Sequence, residues 1–95
     1  MSWNNFKANG SALVMNSEQI FEKVNQVFRR VFSNDQIQVN RETTAKDIAG
    51  WDSITHLDII TGMEEEFKVE ITGFEVMNLN NVGDLLDLLA QKLAE

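Results

Sequence analysis

No cysteine stands anywhere in the 95 residues, and histidine occurs once, as His56. The first absence excludes disulfides, thiolate metal sites and thiol–imidazole catalysis. The second excludes a His-rich metal site. No apolar run approaches the roughly 20 residues that a membrane span needs, and the N-terminal stretch lacks the charged start and apolar segment of a signal peptide. A cysteine-free chain fits a reducing compartment, and the cytoplasm is the expected location. Gly-rich phosphate loops, EF-hand spacing and paired-carboxylate motifs are also missing. The enzymatic reading left is His56 acting as a base for Ser53. It is weak, because the two lie three positions apart on one predicted helix with no third group to orient the imidazole.

Positive charge is scarce. Fifteen acidic residues against eight basic ones give a formal net charge of −7. Nucleic acid and anionic membrane surfaces would both repel such a chain. Partners with basic docking patches, met in fast and salt-sensitive encounters, are favoured instead. Hydrophobic residues make up 43% of the chain, enough for one globular domain. A domain of this size buries only about 60–65% of its unfolded surface, so its core is thin.

Periodicity predicts an all-α fold: a small four-helix bundle with three longer helices, one short helix, and a long loop between the first two. Residues 1–16 are rich in Asn, Ser and Gly without a sustained period, which predicts a flexible extension ahead of a domain over residues 17–95. The first helix is expected from Ser17, as N-cap, to Phe32, with Ile20, Val24, Val27, Phe28 and Val31 at helical spacing. From Ser33 to Asp52 apolar residues are sparse, and a loop this long inside a compact domain is often functional. It closes on Gly50–Trp51–Asp52, a turn with a large aromatic anchor. The second helix is expected over Ser53–Phe67, capped by Asp52 or Ser53, with Ile54, Leu57, Ile60, Met63 and Phe67 as its apolar stripe. Gly62 costs about 1 kcal/mol against Ala, which points to a close approach by a neighbour or ligand. Thr72 and Glu75 have capping-box spacing for a short helix from Gly73 to Asn78, whose apolar side would be Phe74 and Met77. A last helix, capped by Asn80 or Asn81, carries Val82, Leu85, Leu86, Leu88, Leu89 and Leu93 to Ala94.

Ser53 follows an acidic residue, ends the long loop and opens a strong amphipathic helix. Asp52–Ser53–Ile54, then Leu57, then Met63–Glu64–Glu65–Glu66–Phe67, resembles the attachment motif of acyl carrier proteins. The resemblance runs without an evident gap through Val69, Ile71 and Leu79–Asn80–Asn81–Val82, and covers Ser17 to Ala94. It implies a carrier, not an enzyme. A phosphopantetheinyl transferase would join 4′-phosphopantetheine, taken from coenzyme A, to Ser53, with Asp52 as its motif partner. Acyl groups would ride as thioesters on the arm's terminal thiol, which makes the missing cysteine no obstacle. Ile54 matches the apolar residue after the attachment serine. Asp58 and Glu65 match acidic docking positions, with Glu64 beside them, for acyl-loading and acyl-processing enzymes. Met63, Phe67, Phe28 and Leu86 read as core.

Against the family pattern, Ile54 replaces the usual Leu, Trp51 stands where primary fatty-acid carriers often have a small residue, and Thr55 replaces a common acidic one. Together with Asp47–Ile48–Ala49–Gly50–Trp51 these imply a free-standing monomeric carrier of a specialised fatty-acid, polyketide or related pathway. A D-alanyl-type carrier stays open. The rival from another class is an acidic helical docking module that binds a basic partner and carries no prosthetic group.

Overall fold

In the computed structural model, which describes residues 15–94, four α-helices and one short 3-10 turn follow one another, and no strand occurs among the described residues. The helices are α1 (Ser17–Val31), α2 (Ser53–Phe67), α3 (Gly73–Met77) and α4 (Val82–Ala94), with the 3-10 turn at Ala45–Asp47 inside the long loop. This is the expected small bundle. The extension expected over residues 1–16 lies outside the described residues except for Met15, which packs against the core, and Asn16.

The α1 cap is one residue earlier than the sequence suggested. Asn16, not Ser17, accepts the N–H of Gln19 at 2.8 Å, and the Gln19 side chain returns to the N–H of Asn16 at 3.0 Å. That reciprocal pair satisfies two amides at once, which Ser17 has no glutamine or glutamate in register to match. Ile20, Val24, Val27 and Phe28 face inward with Asn25 among them. The helix closes with Ser33 in the left-handed region, and the N–H groups of Ser33 and Asn34 reach back to the carbonyls of Arg30 and Arg29.

Along α2 the buried residues are Ile59, Ile60, Gly62, Met63 and Phe67. The expected stripe therefore holds only in its C-terminal part. Ile54 and Leu57 are 71% and 60% exposed. At about 100° per residue Ile54 falls opposite Met63, and Leu57 lies about 120° away from it. At Gly62 a side chain of α1 comes close: a Cβ there would lie 2.8 Å from Val27 Cγ1. The expected close approach is a helix neighbour. Lys68 then turns the chain at φ 58°, ψ 45°, a left-handed conformation that suits glycine. Replacing Lys68 by Gly is expected to raise stability by about 0.5–1 kcal/mol. A lower urea midpoint for Lys68→Gly would show that the lysine stem packs usefully there.

The long loop is pinned from both sides. Val39 is buried and donates its N–H to Asn25 Oδ1 at 2.8 Å, while Arg29 Nε donates to the carbonyl of Ile37 at 2.7 Å. Farther on, the carbonyls of Thr43 and Arg41 accept the N–H groups of Val82 and Gly83 at 2.9 and 2.8 Å. Loop backbone thus satisfies two of the four amides that open α4, and Asn81 Oδ1 takes a third, from Asp84, at 2.8 Å. A Cβ on Gly83 would sit 2.9 Å from the Arg41 carbonyl, so this approach needs glycine.

In α3 the capping box of Thr72 and Glu75 forms as expected. Its orientation differs from the expectation: Phe74 and Met77 are 77% and 81% exposed, and Val76 packs on the core. One turn of helix has no stripe of its own to obey, and the buried Ile71 and half-buried Leu79 on either side fix which face turns in.

Candidate functional site

Ser53 is the first residue of α2 and is exposed; its hydroxyl enters no hydrogen bond among the described residues. The turn beneath it is heavily bonded. Asp52 Oδ1 accepts the N–H groups of Ile54 and Thr55, both at 2.9 Å. Thr55 Oγ1 accepts the N–H of Asp52 at 2.8 Å and donates to the carbonyl of Gly50 at 2.8 Å. Thr55 is thus a positioning residue that the sequence reading treated only as a departure. The Asp–x–x–Thr spacing is a capping signal that could have revealed it.

These bonds, led by the backbone N–H of Thr55, hold the Asp52 carboxyl below the usual carboxylate range. At α3 the N–H of Thr72, followed by Lys92, does the same to Glu75. Both carboxyls are stronger acids folded than unfolded. Their contribution is complete only well above the unfolded values of about 4 and is lost as the pH falls through the depressed folded values. The thermal midpoint is therefore expected to drop on acidification below about pH 4. Asp52→Asn keeps an acceptor at the cap without its titration, so its midpoint should fall less over the same range. Parallel curves for the two proteins would rule out Asp52 as a contributor.

Trp51 anchors the loop as expected. Its ring meets Phe28 edge-on at 5.2 Å and lies 6.5 Å from Phe32. On its other side it stacks on His56 at 6.0 Å, and its indole N–H donates to His56 Nδ1 at 3.1 Å. That bond occupies the ring nitrogen that a carboxylate would orient in a catalytic triad, and it runs in the opposite sense. Beside this pair a cavity of about 70 Å³ lies between the loop, α2 and the start of α4, with Ile59, Ile60 and Leu85 on its apolar wall.

The acidic positions separate in space. Asp58 and Glu65 are exposed, on the same outer face of α2 as Ile54 and Leu57. Glu64 is half-buried, and its carboxylate accepts the N–H of Ile71 at 2.9 Å. Glu66 pairs with Lys23 at 3.0 Å. No described helix is long and apolar enough to cross a membrane.

Comparison with known proteins gives a consistent picture. The family model described as "phosphopantetheine attachment site" matches residues 22–89. The acyl carrier protein of Thermosynechococcus vestitus is 35% identical over 80 residues, which span 84% of this chain and 99% of that protein. Its counterpart in Thermotoga maritima is 30% identical over 76 residues, 80% of this chain and 94% of the relative. Among solved structures, holo acyl carrier protein from Geobacter metallireducens superposes with a TM-score of 0.75 at 41% identity, covering 79% of this chain and 86% of that one.

Proposed function

From the premise that the chain belongs to the acyl carrier proteins and carries covalently attached phosphopantetheine, we propose that Ser53 is the attachment residue. The protein is a carrier and not a catalyst. The observation that carries the assignment is the exposed, uncommitted Ser53 hydroxyl on a turn that Asp52 and Thr55 hold rigid.

The residues present fit the group. An anionic phosphodiester on Ser53 would stand at the positive end of α2, where the N–H of Ser53 has no acceptor among the described residues. Asp52 opposes a second negative charge there, but two amides already share its Oδ1. Its Oδ2 accepts nothing among the described residues, which leaves it open to a divalent cation during transfer. Once bound, the arm supplies the terminal thiol that holds acyl groups as thioesters. Ser53 holds the arm, and α2 presents it.

The same reading makes the outer face of α2 the docking surface for the transferase and for acyl-loading and acyl-processing enzymes. Ile54 would be its apolar contact, and Asp58 and Glu65 its direct charges. Glu64, bonded to Ile71, would add field more than contact. The net charge of −7 opposes self-association and supports a monomer. Trp51 and Thr55, which depart from the pattern of primary fatty-acid carriers, support a specialised fatty-acid, polyketide or related pathway, and the missing cysteine fits the cytoplasm.

Intact mass after incubation with coenzyme A, magnesium and a broad-specificity phosphopantetheinyl transferase tests the assignment. The native chain should gain one phosphopantetheine and Ser53→Ala none. A gain on Ser53→Ala would move the site elsewhere. No gain on the folded native chain, with a known carrier modified in parallel, would overturn the proposal.

A further inference from the structure

We propose that Trp51, clasped to His56, limits the sheltered part of an acyl cargo to about its first three or four carbons. The inference rests on the attachment to Ser53 proposed above and adds to it how much of the acyl group is sheltered and the residue that sets that limit.

Size comes first. An apolar cavity of about 150 Å³ accepts a benzene ring. The cavity beside Trp51 holds about 70 Å³, roughly half of that, and so takes about three carbons. Its apolar lining, with Ile59 and Leu85 buried, suits a hydrocarbon segment more than a polar one.

The walls are held against expansion. Trp51 is fixed on three sides: edge-on by Phe28 at 5.2 Å, by Phe32 at 6.5 Å, and by the stacked His56, whose Nδ1 takes its N–H at 3.1 Å. The opposite wall includes Asn81 and Val82, where α4 begins. There the loop carbonyls of Thr43 and Arg41 hold the N–H groups of Val82 and Gly83. A longer chain would have to break the indole–imidazole bond and displace a packed aromatic, or pull α4 away from the loop. Carbons beyond the first few therefore stay in water.

The test uses the holo chain loaded with acetyl, butanoyl, hexanoyl and octanoyl groups. Each thioester's lifetime in hydroxylamine is compared with the same acyl group on free pantetheine. Burying a methylene is worth up to about four-fold in protection. In the native chain, protection should climb from acetyl to butanoyl and then level off through octanoyl. In Trp51→Val the climb should continue to octanoyl. His56→Ala removes the clasp and keeps the indole, so it serves if Trp51→Val does not fold; its plateau should shift to hexanoyl or beyond. A general loss of packing would lower protection at every length without moving the plateau. Protection that climbs steadily to octanoyl in the native chain, or that is flat from acetyl onward, would overturn the inference. Mass spectrometry of each loaded sample separates these results from a missing arm on Ser53, which would remove the attachment proposal itself.

Discussion

Replacing Phe28 by alanine should cost about 3–5 kcal/mol, the range for deleting a fully buried aromatic side chain. Phe28 is completely buried, and its ring meets both Phe32 and Trp51. It therefore joins the middle of α1 to the end of the loop that leads into Ser53. A domain this small has only several kcal/mol of net stability, so the loss consumes a large share of it. The thermal midpoint should fall by about 15–30 °C. Phe28→Leu keeps most of the volume and should cost under about 2 kcal/mol. A loss below about 1 kcal/mol for Phe28→Ala would mean that Trp51 and Phe32 collapse into the gap.

The second large effect comes from a polar side chain. Asn25 is fully buried; it accepts the N–H of Val39 and donates to the carbonyl of Phe21 at 3.2 Å. Asn25→Ala leaves the buried Val39 N–H without a partner and opens a small void, for a combined cost of about 2–3 kcal/mol. The Phe21 carbonyl suffers little, because it keeps its bond within the helix. Amide hydrogen exchange separates this loss from general loosening. Val39 should exchange much faster relative to the interior of α2 in Asn25→Ala than in the native chain. Equal acceleration everywhere would show that the loop and helices open as one unit.

How well the sequence foretold each part depended on whether a local rule governed it. Helices α2 and α3 begin where their capping residues stand, and Met63, Phe67, Phe28 and Leu86 are buried as their spacing implies. Gly62 correctly signalled a close approach. The misread helix faces share one cause. Leu57, Phe74 and Met77 are apolar and near helical register, but nothing packs over the faces they occupy. Hydrophobicity says that a residue can be buried, not that a neighbour is there to bury it. Asn25 and the loop carbonyls act through contacts distant in sequence, which no local window contains. Their effect was visible only as an unusually long loop. At the proposed site the motif pointed to Ser53 and Asp52, whereas the bonds of Thr55 and of the Trp51–His56 pair needed coordinates.

The loop carbonyls that open α4 have a kinetic consequence. Helices α1, α2 and α3 start with caps one turn away in sequence, so their first turns can form as soon as the local chain does. Two amides of α4's first turn wait for Arg41 and Thr43, nearly half the chain upstream. Closing so long a span costs entropy before any contact rewards it. The start of α4 is thus set to consolidate late in folding, after the loop has settled against α1.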